Sequence, residues 1–437
     1  MLELEEESAI PRAEEDDRWD TSVVVSGAMK EFGSPEPAFG ATPAAERSRH
    51  AGWLELFFDL VFVALAAQLA HSLHGDPGPA DFAVFLALYF PPWWTWINLT
   101  VAANLFDEDS TRRRLLMLTA MLCLAVMTVA VTEATDERSA AYALGYAGSR
   151  LVLLGLWWPS TRRAIVPGGA LVPMWRPLSY CLASAVGWVA SVLVPTPWRF
   201  VMWAGLLAAE IGVLLTARPG GMPRRLHVGH LVERVGLFVI IVFGESVIGL
   251  ITSLDAEWTA AAGWVALIGF VMLAALWWSY FDFGSAAAEH VLGAATERRA
   301  FPLARDVTGF LHFFVTAAVV AMAGGLATAV EEAGQGHTHL AHGAVVALAG
   351  GLALYHAAHA AISLRFGRRL WIVATWAGPG IGVPLAVIAF AGHLAPWQVV
   401  GLLTAEVLAH LLYARWASAR APAAGADAQT AARAPRT

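Results

Sequence analysis

The chain has 437 residues, of which 57% are hydrophobic and only 14% charged, whereas about 25% are charged in a typical soluble domain. This composition excludes an ordinary soluble domain and predicts a membrane protein. The formal net charge of -7 lies largely in an acidic first segment, and no basic patch indicates nucleic-acid binding. Cys123 and Cys181 fall inside apolar segments, so we expect neither a disulfide framework nor a cysteine metal site.

Residues 1–48 are acidic and then rich in Gly, Pro and Ala, which predicts a disordered cytoplasmic tail, and 418–437 form a second disordered tail. Between the tails, apolar runs of about 17 to 25 residues recur, each long enough for a helix to cross a bilayer. They cover 53–73, 81–105, 115–133, 140–158, 178–195, 198–217, 230–253, 262–283, 307–330, 342–364, 370–393 and 397–416. The pattern predicts an all-α, polytopic membrane helix bundle of about twelve transmembrane helices.

The arginines indicate the orientation of these helices. They fill every second loop between the apolar runs, whereas the alternate loops hold only Arg138 and Arg199. Positive charge accumulates in cytoplasmic loops. We therefore expect a multi-pass protein of the cell inner (plasma) membrane with both termini in the cytoplasm.

Short stretches of the first half of the chain recur in the second half. The matching pairs are 93–98 (WWTWIN) with 277–282 (WWSYFD), Glu55 with Glu233, and Glu210 with Glu406. Six spans in each half would give both halves the same orientation, which predicts two parallel six-helix repeats, 49–217 and 218–417, as in several transporter folds. Chance similarity between Trp-rich and Ala-rich helices is the alternative interpretation.

The segment 230–251 places charged residues inside an apolar helix. Glu233 and Arg234 precede a run that is wholly apolar or glycine, and Glu245 follows it. At the rise of an α-helix, Glu245 lies about 16 Å beyond Arg234, close to the middle of a bilayer about 30 Å thick. A carboxylate at that depth costs about 2.5 to 3.5 kcal/mol on insertion scales, so we expect it to face the interior of the bundle.

Four motifs carry a resemblance to a known family. The two longest are WLELFFDLVFV at 53–63 and ERVGLFVIIVFGE at 233–245, and the shorter ones are NLFD at 104–107 and LWWSYFD at 276–282. Together they resemble the bacterial low temperature requirement A family over most of the chain. The resemblance implies a multi-pass membrane protein linked to growth in the cold, and it implies no particular substrate or mechanism.

Charged residues of the predicted first, fourth and sixth spans are candidates for a polar interior. Glu55 and Asp59 are four residues apart and share one helix face, so they suit a proton or cation relay, or alternatively they cap the start of the helix. Arg150 lies about ten residues into its predicted span and needs a carboxylate partner. Glu245 and Glu210 are the candidates, and the pair could serve gating or only fix helix register.

Histidines of the second half form a further set. Glu406 and His410 share a face of the last predicted span, and His356 and His359 share one in the tenth. A Glu and a His that face one cavity could carry protons near neutral pH. For each of these histidines, and for His312, a hydrogen bond to a neighbouring helix is the alternative.

One predicted external loop has the composition of a metal site. It contains Glu331, Glu332, His337, His339 and His342, which could hold Zn²⁺. Flexible histidine-rich loops are usually solvated and unliganded, so we predict no metal and no other cofactor.

The candidate polar core consists of the ionisable residues expected at membrane depth. They are Glu55, Asp59, Arg150, Glu210, Glu233, Arg234, Glu245, Asp282, His312, Glu406 and His410. They favour a secondary transporter of an unidentified small solute or ion in the lipid bilayer, with proton coupling as one form of it. The alternative is a channel or a non-transporting membrane component whose buried charges are structural. An enzyme is not expected, because no nucleophile or metal constellation is evident, and the oligomeric state is left open.

Overall fold

The computed structural model describes residues 52–105, 110–158, 175–216 and 227–420. Within these ranges every regular element is helical and no strand occurs, which confirms the predicted all-α class. The predicted tail 1–48 lies outside the described residues. The predicted tail 418–437 begins inside the last helix, and its residues beyond 420 lie outside the described ranges.

The helices are numbered here in chain order. They are α1 (Trp53–His71), α2 (Pro79–Leu105), α3 (Thr111–Glu133), α4 (Ser139–Trp157), α5 (Trp175–Ser191), α6 (Trp198–Leu215), α7 (Val228–Ala256), α8 (Ala260–Gly293), α9 (Arg299–Gly334), α10 (His342–Arg365), α11 (Leu370–Ala389) and α12 (Pro396–Arg420).

Nine of the helices in the described ranges are long and apolar enough to cross a membrane, namely α1, α3 and α6 to α12. The chain is therefore a multi-pass helical membrane protein. The predicted segments at α2, α4 and α5 are helical but are not among the nine, so the count of twelve spans stays a prediction. Two of these helices are less apolar than the nine. Helix α2 contains Pro91 and Pro92, and α4 contains Ser149 and Arg150.

Helix α9 lies at the centre of the bundle and packs against α1, α7, α8, α10 and α12. Its buried face is built largely of Ala, Val and Gly, which let neighbouring backbones approach closely. A Cβ atom added at Gly324 would lie 2.6 Å from the carbonyl oxygen of Ala70 in α1, and one added at Gly325 would lie 2.6 Å from that of Ala344 in α10. The small residues of α9 are therefore needed for its contacts with both neighbours.

Three helices of the second half contain a widened, π-helical turn. These turns are Tyr280–Ser285 in α8, Arg305–Leu311 in α9 and Val346–Gly350 in α10. A π turn rotates the side chains that follow it relative to a regular α-helix. Asp282 lies in the first of these turns and is exposed, where its carboxylate accepts a hydrogen bond from Trp278 Nε1 at 2.5 Å. The prediction that Asp282 belongs to the buried polar core was therefore wrong.

Candidate functional site

Two acidic residues of α1 face two basic residues of α7. Glu55 Oε2 lies 3.0 Å from His230 Nε2, and Arg234 Nη2 donates to Asp59 Oδ1 at 2.8 Å. Glu55 and Asp59 are four residues apart, as are His230 and Arg234, so the helical repeat stacks the two pairs one turn apart. All four side chains are buried. We call this arrangement the α1–α7 ladder.

The outer pair of the ladder lies at the start of α1. Arg113 of α3 forms an ion pair with Glu55, with 2.8 Å between Nη2 and Oε1. The backbone N–H of Gly52 donates to Glu55 Oε2 at 3.3 Å. Glu55 therefore caps its helix, as one interpretation of the sequence proposed, and also joins α1 to α3 and α7.

The tautomer of His230 follows from its hydrogen bonds. The backbone N–H of His227 donates to Asn104 Oδ1 at 2.9 Å, which orients the Asn104 amide. Asn104 Nδ2 then lies 3.1 Å from His230 Nδ1, and an amide nitrogen only donates. His230 Nδ1 is therefore the acceptor, and its Nε2–H donates to Glu55.

The inner pair of the ladder is closed off by aromatic side chains. Asp59 is 0% exposed and Arg234 is 1% exposed. Trp96 Nε1 donates to Asp59 Oδ1 at 2.8 Å, and the rings of Trp96 and Phe238 lie 4.6 Å apart. Asp59 Oδ2 and the Nε and Nη1 atoms of Arg234 have no hydrogen-bond partner among the described residues. The pair thus offers both an acceptor and two donors inside an apolar enclosure.

A second polar cluster surrounds Glu210 of α6. Its carboxylate accepts from Trp94 Nε1 at 2.8 Å, from the Tyr146 hydroxyl at 2.9 Å and from the Ser184 hydroxyl. Arg150 Nη2 lies 3.2 Å from Glu210 Oε2, which confirms the predicted ion pair between these residues. The guanidinium also lies over the Tyr146 ring, 4.4 Å from its centroid. Both carboxylate oxygens of Glu210 are therefore satisfied, and the cluster joins α2, α4, α5 and α6.

The two acidic candidates on α7, Glu245 and Glu233, lie outside the Glu210 cluster. Glu245 is 9% exposed, and it makes no hydrogen bond or ion pair with the residues that the structure describes. Arg150 contacts Glu210 instead of Glu245, so only one of its two proposed partners applies. Glu233 is half-buried near the start of α7.

His312 and His359 of the second half form different kinds of hydrogen bond. His312 Nδ1 donates to the Val307 carbonyl at 2.7 Å, and its Nε2 lies 3.1 Å from the Tyr280 hydroxyl of α8. His359 Nδ1 donates to the Tyr355 carbonyl of its own helix at 2.9 Å. For His312 this is the interhelical hydrogen bond that the alternative interpretation proposed.

His356, Glu406 and His410 come together between α10 and α12. Glu406 Oε2 lies 3.3 Å from His356 Nε2, and Glu406 Oε1 lies 2.6 Å from His410 Nδ1. The predicted sharing of one helix face by Glu406 and His410 is confirmed. The sequence did not predict that His356 would meet both of them.

The histidine-rich loop forms no comparable group within the described residues. Its carboxylates have other partners: Glu331 lies 3.3 Å from His74 and accepts from Ser253, and Glu332 accepts from the Ala341 backbone N–H within the loop.

Sequence reasoning did not find several partners in these clusters. His230, Arg113 and Asn104 contact Glu55 or one another, and Trp94 and Trp96 donate to buried carboxylates. Two features of the sequence could have predicted some of these partners. His230 precedes Arg234 by one helical turn, and the tryptophans of α2 are indole donors inside an apolar segment.

The fold and the site define a multi-pass helical membrane protein whose interior contains ion pairs between separate helices. The family described as bacterial low temperature requirement A protein (LtrA) matches residues 50–412, so the chain belongs to that family, as its motifs indicated. An uncharacterized protein of Rhizobium meliloti (strain 1021) is 32% identical over 246 residues, which cover 54% of this chain and 59% of that relative. The match therefore spans less than two thirds of the relative's length.

Proposed function

We propose that the protein is a proton-coupled secondary transporter and that the Asp59–Arg234 pair binds the coupled proton or the solute. The observation that carries this proposal is the set of three buried polar atoms on the pair, Asp59 Oδ2 and Arg234 Nε and Nη1, that have no partner among the described residues.

The contrast with Glu210 supports this choice of site. A buried polar atom without a partner costs about 1 to 3 kcal/mol, and more when its group is charged. The Arg150–Glu210 pair has one such atom among the described residues, Arg150 Nε, whereas both carboxylate oxygens of Glu210 have donors, which come from Trp94, Tyr146, Arg150 and Ser184. The Asp59–Arg234 pair retains free hydrogen-bonding capacity, which is what a site for a proton or a small polar solute requires.

The outer pair of the ladder supplies a route to this site. Glu55 and His230 lie one helical turn from Asp59 and Arg234, and Arg113 of α3 extends the cluster toward the loop between α2 and α3. Arg112, Arg113 and Arg114 lie in the first turn of α3, at the end of the helix that we propose to be cytoplasmic. Carboxylates and imidazoles in series are the groups that membrane proton relays use.

Charge movement on a pH jump tests the proposal. The purified protein is reconstituted in liposomes, and the transient current after a rapid pH step is recorded for the wild type and for Asp59→Asn. We expect a current in the wild type that Asp59→Asn abolishes. Asp282→Asn is the matched control, because this exposed aspartate also lies on an apolar helix but outside the ladder.

Folding is checked for each variant by size-exclusion chromatography and thermal unfolding. If Asp59→Asn folds poorly, the double variant Asp59→Asn/Arg234→Gln replaces it, because it leaves no unpaired charge. A wild type without charge movement would contradict electrogenic proton coupling and favour electroneutral or uncoupled transport. An undiminished current in the ladder variants would exclude Asp59 as the site.

We also propose twelve spans in two parallel halves with both termini in the cytoplasm. Contacts between corresponding helices support the two halves: Arg150 of α4 pairs with Glu210 of α6, and His356 of α10 pairs with Glu406 of α12. The first helices of the two halves, α1 and α7, pair through the ladder.

Cysteine labelling from one side of the membrane tests the orientation. In a background without the two native cysteines, Glu137→Cys should react with an impermeant reagent from outside the cell, and Arg368→Cys only after permeabilisation. The opposite labelling pattern would reverse the proposed orientation.

A further inference from the structure

The cluster of His356, Glu406 and His410 has the geometry of a metal site. One nitrogen of each histidine and one oxygen of the carboxylate lie within 4.8 Å of one another. Their side chains are 7%, 4% and 16% exposed, so the site is largely closed to solvent. Tetrahedral bonds of about 2.0 to 2.1 Å place neighbouring ligand atoms roughly 3.3 Å apart. The 3.3 Å between His356 Nε2 and Glu406 Oε2 matches that spacing.

A hydrogen bond to a third helix fixes how His410 presents its ring. Its Nε2 lies 2.7 Å from the carbonyl oxygen of Trp376 in α11. A carbonyl only accepts, so Nε2 carries the hydrogen, and Nδ1 presents its lone pair to the cluster unless it is also protonated. A histidine ligand whose other ring nitrogen donates to a carbonyl is the usual arrangement at metal sites.

Two acceptors of Glu406 lie close to His410 Nδ1. Glu406 Oε1 lies 2.6 Å away and the Glu406 carbonyl oxygen 3.3 Å away. The short contact does not have hydrogen-bond geometry, and Glu406 Oε1 has no hydrogen-bond partner among the described residues. A lone pair that faces a carboxylate at this distance requires a positive charge between or beside them. Either a proton or a metal ion can supply it.

We propose that His356, Glu406 and His410 bind a divalent transition-metal ion, with Zn²⁺ as the best fit to two imidazoles and one carboxylate. Three protein ligands leave one of four tetrahedral positions for water or another small ligand. The ion would join α10 to α12, with α11 contributing the carbonyl that orients His410. This inference is independent of proton coupling at Asp59, because it uses none of the ladder residues.

The packing of α11 against His356 adds a second, independent constraint. A Cβ atom added at Gly380 of α11 would lie 2.8 Å from His356 Cγ and 3.0 Å from its Nδ1. The imidazole therefore packs directly against a backbone position with no side chain, while its Nε2 lies near Glu406.

Metal binding by tag-free protein tests the inference. After treatment with a chelator, the protein in detergent is titrated with Zn²⁺ by calorimetry and with Co²⁺ by visible absorption, and the bound metal is counted by mass spectrometry. We expect one Zn²⁺ per chain and an intense Co²⁺ spectrum typical of tetrahedral coordination. Zn²⁺ should also raise the midpoint of thermal unfolding, because it binds the folded state.

Substitution of two of the three ligands distinguishes this site from other histidines. Glu406→Gln and His410→Gln should weaken Zn²⁺ binding by more than the about 10- to 100-fold that follows loss of a supporting hydrogen bond at a metal site. His359→Gln, three residues from His356 in the same helix, and the loop variant His337→Gln/His339→Gln should bind as the wild type does.

Folding is verified for every variant by its unfolding midpoint in metal-free buffer. A wild type that binds no Zn²⁺ or Co²⁺ would overturn the inference and leave a proton as the charge between Glu406 and His410. Equal binding by the wild type and both ligand variants would overturn it as well. If only the loop variant His337→Gln/His339→Gln lost binding, the metal site would be in that loop instead.

Discussion

Arg234 donates to Asp59 at 2.8 Å across 175 residues of sequence, and the two residues come from the two longest sequence motifs, 53–63 and 233–245. Each motif supplies one sign of charge to the ladder between α1 and α7. Neither charge would be tolerable alone inside a bilayer, so the two motifs depend on each other physically.

The ladder makes a prediction about stability. Arg234→Gln or Asp59→Asn alone leaves a buried group without its partner and should lower the free energy of unfolding by about 3 to 5 kcal/mol. The double variant should be less destabilised than the sum of the two single changes. Denaturant titration in detergent micelles measures all three values, and strict additivity would show that the two groups do not interact.

The Glu210 cluster should affect stability and leave charge movement intact. Glu210→Gln weakens the interaction with buried Arg150, and we expect it to lower the unfolding midpoint while the current after a pH jump persists in the protein that remains folded. Trp94→Phe removes one indole donor to Glu210 and should have a smaller effect of the same kind, about 1 to 3 kcal/mol. Loss of the current in stable Glu210→Gln would move the proton site to this cluster.

The close contact of α9 with α10 should be sensitive to a single methyl group. Gly325→Ala would place its Cβ atom 2.6 Å from the Ala344 carbonyl, so we expect lower thermal stability. Gly382→Ala in α11 is the matched control, because nothing lies within 4 Å of its added Cβ, and alanine is the better helix former by about 1 kcal/mol. Thermal unfolding of the two variants should shift in opposite directions. A stabilising Gly325→Ala would contradict the described packing.

Gly380 provides a test of the metal site that changes no ligand. Gly380→Ala should displace the His356 ring and weaken Zn²⁺ binding, because the new Cβ atom would lie 2.8 Å from His356 Cγ. Gly378→Ala on the same helix is the control, since its Cβ atom would meet nothing within 4 Å. Calorimetric titration should separate the two variants, and equal affinities would show that His356 does not need this packing.

The sequence alone determined the membrane class, the helical fold and the family. Long apolar runs can satisfy their backbone hydrogen bonds in a bilayer only as helices, so composition and run length decide the class without tertiary information. Charges within those runs, such as Asp59, Arg234 and Arg150, must face the interior, which is why their burial was predictable.

Only the tertiary structure decided which of these groups meet. Helical spacing places Glu406 and His410 on one face, but the approach of His356 depends on how α10 and α12 pack. Asp282 was assigned to the interior by its position in an apolar run, whereas it lies in a π turn of α8 and is exposed. Which side chains pair, and which way they point, depends on how the helices pack against one another. The 3.6-residue periodicity of a single helix does not contain that information.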